Sequence, residues 1–312
     1  MPIMVPDRDD WFPKSATLPC PDWPAIGTWM CDNVTPEYAD EAAGQITRYW
    51  LVRLVAALGD THTLAASEHF LLVAVGDEKR RTQTLDFLEK SRAFVLAGLG
   101  DVAPEYGLRP QVFLRLGSVD ACDEFLASFD SDGAYTEAAS TFFPNGSAPL
   151  PYCECTKFSE ESGLLAGHIA SHLLRCLPLP RWLQHGAALV FKVALVGGHF
   201  GVLYEDLVRE HERCWTTETI QDFWSGKALE DERWQSLSCS LAEILIDVIQ
   251  REVRPDPDTF RQFVAAATFQ DGGEAAAHEH LGVGLGEIAS VFLGDGDWTP
   301  QPSKWDKCEE PA

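Results

Sequence analysis

"GLLAGHIASHLLRCLPLPRWLQHGAALVF", residues 163–191, decides how the rest of the chain is read. In a helix, His168 and His172 stand one turn apart on one face. Ile169 is rotated by roughly 100° from His168, and Leu165, Leu173 and Cys176 continue an apolar stripe. A second helix opens at Pro180, a residue favoured in the first turn, and carries His185 beside Gly186. The missing Cβ of that glycine lets two helices approach closely. Three imidazoles from two adjacent helices would make a tetrahedral zinc site with one open position. The plain alternative is a set of core histidines satisfied by hydrogen bonds.

Upstream of this segment the pattern alternates between strand and helix. Residues 1–34 are rich in Pro and Trp and are expected to wrap the surface. Apolar recurrence near the helical period predicts a helix over 36–58, ended by Gly59-Asp60. "HFLLVAV" (69–75) and "QVFLRL" (111–116) read as buried strands, with helices at 78–99 and 118–129. Turn signals at Asp132-Gly133 and Asn145-Gly146 predict antiparallel strands within 131–158, including "STFF" and "YCECT". From Ser159 the pattern is helical, with helices expected at 159–176, 180–195, 202–213, 237–252, 257–268, 273–280 and 284–293. The expected organisation is an N-terminal segment (1–66), a mixed lobe (67–176), a helical lobe (177–299) and a loose tail (300–312).

Composition narrows the function classes. The 48 Asp and Glu outnumber the 24 Lys and Arg, for a net charge of −24. Such a surface repels phosphate backbones and anionic lipid, so no nucleic-acid or membrane partner is expected. No stretch reaches the ~18 apolar residues of a membrane span, and "MPIMVPDRDDWFPKS" lacks a signal-peptide pattern. Nine scattered cysteines argue against a disulfide framework and for a reducing cytoplasm.

From Glu68 to Trp298 the chain resembles the peptidase-MA-like gluzincins, bacterial zinc proteins with a thermolysin-type catalytic fold. In that family one helix carries HExxH and a following WLxEG segment supplies a third ligand. Here these stand as "HIASH" (168–172) and "WLQHG" (182–186). "FWSGKALEDERWQSLSCSLAEILIDVI" (223–249) looks like the family's downstream helix, and "EAAAHEHLGVGLGEIASVFLGDGDW" (274–298) like its closing segment. "DGAY" and the hairpin through "YCECT" lie where the family places its active-site edge strands. The resemblance implies an α+β fold, with a zincin-like lobe followed by a mainly helical C-terminal lobe. It also implies that His168, His172 and His185 are metal ligands and that Ile169 stands where the general base would be.

Isoleucine has no titratable group, and loss of a positioned base typically costs 10²–10⁴ in rate. The change from Glu to His at 185 keeps a ligand but removes its charge, which favours a metal-bound hydroxide. The expected function is a divergent, peptidase-like metalloprotein without conventional peptide hydrolysis. Zinc is the expected metal, and copper or iron also suit three imidazoles. Two alternatives stand beside it. One is a non-catalytic peptide- or protein-binding scaffold, metal-free if the site is degenerate. The other is a His₃-metal enzyme with altered hydrolytic or redox chemistry. A small molecule or peptide in an inter-lobe cleft is the expected partner. Tyr135 and Tyr204 are candidate hydrogen-bond donors to a reacting oxyanion, with packing as their ordinary role.

Overall fold

The computed structural model describes residues 4–15, 18–103, 110–129, 150–153, 157–175, 177–197 and 205–305. The fold is mixed α+β, mainly helical with a small sheet. It divides into two compact units, 1–91 with 105–165 and 92–104 with 166–312. Tyr135, Tyr204, Cys155, "STFF" and both predicted turns in 131–158 lie outside the described residues.

The first unit begins with a short antiparallel pair, β1 (Lys14–Ser15) and β2 (Leu18–Pro19). Helix α1 (Trp23–Asn33) follows, its Asp22 side chain accepting the Ala25 N–H as an N-cap. Helix α2 (Ala39–Leu58) ends at Gly59, whose φ of 86° is one that only glycine adopts freely. The N-terminal stretch, expected to wrap the surface, is part of the core. Trp11, Trp23 and Ile26 are 2%, 3% and 0% exposed and pack with Ile46, Trp50 and Leu54 of α2. Trp50 lies edge-on to Trp23 and donates its indole N–H to the Pro19 carbonyl at 2.9 Å. The indole thus brings its bulk inside without leaving a buried donor unpaired.

The sheet has the order β3-β4-β5-β6, formed by Thr63–Ala66, Phe70–Ala74, Gln111–Leu116 and Leu150–Cys153. β3 and β4 are antiparallel, whereas β4, β5 and β6 are parallel. Helix α3 (Glu78–Leu99) connects β4 to β5, and helix α4 (Val119–Phe129) follows β5. "FLLVA" and "QVFLRL" are buried at every position, as strands in a parallel sheet are when both faces are covered. The expected antiparallel pairing is corrected for "LPYC". Leu150–Cys153 pairs parallel to β5, with Tyr152 opposite Arg115. Turn residues signal local hairpins, and the long-range parallel pairing of β6 has no such local signature.

Helix α5 (Phe158–Arg175) carries the two motif histidines and is anchored at its start by a buried carboxylate. Glu161 is fully buried and accepts from Arg80 Nη2 at 2.6 Å, Arg115 Nη1 at 3.2 Å, Thr84 Oγ1 at 3.1 Å and Tyr152 OH at 3.0 Å. Arg115 is also fully buried and donates a second bond to the Val75 carbonyl at 2.7 Å. One carboxylate therefore joins α3, β5 and β6 to the first turn of α5. His69 of the first unit has a partner as well, with Nδ1 2.8 Å from Glu89 Oε2.

The regular elements of the second unit, among its described residues, are all helices. Its elements are α6 (Arg181–Val196), α7 (Glu205–Cys214), α8 (Ile220–Trp224), α9 (Lys227–Glu230), α10 (Gln235–Val248), α11 (Pro257–Ala266), α12 (Glu274–Ala276) and α13 (Leu285–Leu293). Two π turns, Ile249–Val253 and Ala277–Leu281, continue α10 and α12. The core is aromatic, with Trp182, Phe223 and Trp224 at most 1% exposed. Trp182 Nε1 donates to the Gly272 carbonyl at 2.9 Å and Trp224 Nε1 to the Trp298 carbonyl at 2.8 Å. Residues 299–305, expected to be loose, are held by Gln221. Its amide donates to the Thr299 carbonyl at 3.0 Å, and its carbonyl accepts from Gln301 N and Trp305 Nε1 at 2.7 and 3.0 Å.

Removing Glu161 leaves Arg115 charged, buried and without its counter-ion. Glu161→Ala is expected to destabilise the protein by about 3–5 kcal/mol in a chemical denaturation experiment. A loss nearer ~1 kcal/mol, the scale of an exposed pair, would mean that water reaches the carboxylate.

Candidate functional site

Helix α5 presents His168 and His172 one turn apart, as their spacing requires. Burial first, then His172 and Arg175, push the His168 pKa down to about 4. At neutral pH this imidazole carries no charge. Ile169, at the position of a general base in the resembled motif, is 1% exposed and belongs to the core.

His185 has a different environment. Helix α6 starts after Pro180, and Gly186 is fully buried against α10. A Cβ at position 186 would stand 3.0 Å from the Ala242 carbonyl and would strike the Ile246 side chain. The glycine thus does allow a close helix approach, as expected, but the partner there is α10. His185, one residue earlier, is brought to Cys239 and Glu243, which lie one turn apart on α10. Its Nε2 is 3.8 Å from Glu243 Oε1. The influence of Cys239 first and then of Glu243 outweighs burial and raises the His185 pKa to about 9. This imidazole is a cation at neutral pH.

The expected convergence of His168, His172 and His185 draws no support from these surroundings. Among the described residues, no three His, Cys, Asp or Glu side chains are grouped so as to hold a metal ion. A three-histidine zinc, copper or iron shell does not fit this arrangement. The Nε2 of His185 lies 3.8 Å from Glu243 Oε1, and His168 has the Arg175 guanidinium in its surroundings. Tyr135 and Tyr204 lie outside the described residues.

A cavity of about 110 Å³ opens beside His185. Arg175, Arg181, Gln184, Glu230 and Cys239 are among the residues that line it. Arg181 is paired with Glu230 at 3.1 Å. Sequence reasoning passed over Cys239 and Glu243. Their i, i+4 spacing in "CSLAE" (239–243) was the available signal, but a helical Cys and Glu at that spacing are common and carry no motif.

His211 was also missed, and its role is structural. It is fully buried, accepts from Trp215 Nε1 at its Nδ1 (2.8 Å), and places Nε2 3.2 Å from Ser240 Oγ. The accepting Nδ1 puts the proton on Nε2, which donates to Ser240. Burial pushes this pKa down to about 4.

These histidines predict a bounded range of stability. For His168 and His211, folding lowers the pKa from 6.5 to about 4, so the unfolded chain binds more protons and stability falls as pH drops from 6.5 toward 4. For His211 alone the loss between pH 7 and pH 5 is about 2 kcal/mol. For His185 the folded value is raised to about 9, so its contribution is complete below 6.5 and is lost as pH rises through 9. Denaturation midpoints across pH should peak near neutrality. His211→Gln should flatten the acid side, and an unchanged acid slope in that variant would refute the assignment.

No family model matches this chain, and no curated protein or solved structure matches it.

Proposed function

We propose that the chain is a gluzincin-like scaffold that has lost conventional peptide hydrolysis and binds an extended peptide. The observation that carries this reading is Ile169. A peptidase of this type needs a carboxylate next to its first histidine to take a proton from the attacking water. This chain has instead a side chain that cannot titrate and is 1% exposed. The environment of His185 supports the same reading, because its partners are Cys239 and Glu243.

The zincin-like assignment of the first unit is part of the proposal. It draws support from a small mixed sheet followed by a helix that carries the histidine pair. Peptide binding draws support from β6. Among the described residues this strand has a neighbour on one side only, and a parallel edge strand can accept an added strand through main-chain hydrogen bonds. Tyr152 is held by Glu161, which fixes the register of that edge. No described helix is long and apolar enough to cross a membrane, which agrees with a partner in solution.

The test has two arms. Protein purified without a histidine tag is analysed for zinc, copper and iron and assayed on casein. No stoichiometric metal and no chelator-sensitive cleavage are expected. A peptide selected from a random library should protect the amides of 150–153 from hydrogen exchange. Stoichiometric zinc that is lost on His185→Ala would overturn the reading in favour of the three-histidine metalloprotein. Protection confined to other segments would overturn the assignment of β6.

A further inference from the structure

The group formed by Cys239, His185 and Glu243 suggests chemistry that needs neither a metal nor the peptidase motif. The three side chains come from two packed helices. Cys239 and Glu243 share one face of α10, and His185 meets both from α6. Cys239 is half-buried and lines the cavity of about 110 Å³ together with His185, Arg175 and Arg181. Thiols act as nucleophiles where a cationic partner stands beside them and solvent still reaches the sulfur. Here His185, which faces Glu243 at 3.8 Å, lines the same open cavity as Cys239, and its volume of about 110 Å³ suits a molecule of a few heavy atoms.

We propose that Cys239 is a reactive thiol that small hydroperoxides oxidise to a sulfenic acid in this cavity. In the reactive form the thiol proton sits on His185, whose charge Glu243 faces. The sulfur attacks the terminal oxygen of the peroxide. An S–O bond forms and the O–O bond breaks. The sulfur gives up two electrons, and the departing oxygen takes the proton from His185 and leaves as water or an alcohol. Arg175 and Arg181 line the same cavity, and their positive charge suits the negative charge that builds on the leaving oxygen. The product can be reduced again by a thiol, so the modification is reversible.

Cys31 provides an internal reference, since it is an exposed free thiol in the same chain. The intact protein is treated with dilute hydrogen peroxide in the presence of dimedone and mapped by mass spectrometry. The adduct is expected on Cys239 and not on Cys31. In parallel, iodoacetamide at pH 7 should label Cys239 roughly 10-fold faster than Cys31, although Cys31 is the more exposed. His185→Gln should bring the two rates together. Glu243→Gln, which keeps the side-chain shape, should lower the Cys239 rate in part and serves if His185→Gln does not fold. Labelling of Cys239 no faster than Cys31 would overturn the proposal. So would unchanged dimedone trapping at Cys239 in a folded His185 variant, or in Glu243→Gln where that is the variant tested.

Discussion

The Glu161 carboxylate is the constraint on which the first unit depends. It begins the helix that carries the motif histidines, yet its bonds reach back to α3, β5 and β6. A buried charge is tolerated only when partners replace its lost hydration, and here two guanidiniums and two hydroxyls do so. The same bonds explain why Arg115 can occupy a strand position with every neighbour buried. Without Glu161 the sheet would hold an unbalanced cation. Without Arg115 the carboxylate would keep Arg80 as its one guanidinium partner in this group. Strand and helix are therefore compatible only as a pair.

The second unit solves a related problem with neutral groups. Its core is built from indole rings, each bulky and each carrying one N–H. Trp182, Trp215 and Trp224 direct that N–H to a carbonyl or to the His211 ring nitrogen. His211 lies one turn before Trp215, whereas the acceptors of Trp182 and Trp224 lie far along the chain, so each of these two indoles fixes a long-range contact as well as filling space. Gln221 does the same for residues 299–305, using both ends of its amide.

Much of the architecture was legible in the sequence because it follows local periodicity. The long apolar runs gave β4 and β5, and the helical stripe gave α5 and α6 close to their observed limits. What was not legible depends on which element meets which. The pairing of β6 with β5 joins residues far apart in the chain, whereas turn signals speak only for neighbours. The candidate site was misjudged for the same reason. Chain proximity suggested that α6 would turn His185 toward α5. The packing of Gly186 against α10 turned it toward Cys239 and Glu243. Periodicity gives the face of a helix, but not the helix that the face will meet.

Gly186 also bears on how this protein can change over generations. The residue has no chemistry of its own, but the Ala242 carbonyl would stand 3.0 Å from any added Cβ. Any side chain at this position would press on the Ile246 side chain and crowd the Ala242 carbonyl, and so disturb the helix contact that brings His185 to its two partners. A lineage could therefore lose the thiol–imidazole pairing through a change at a residue that takes no part in it. Conversely, mutational routes that leave this one backbone position bare keep the pairing undisturbed. In sequence space, a hydrogen atom marks the boundary of this site more sharply than any of its charged groups.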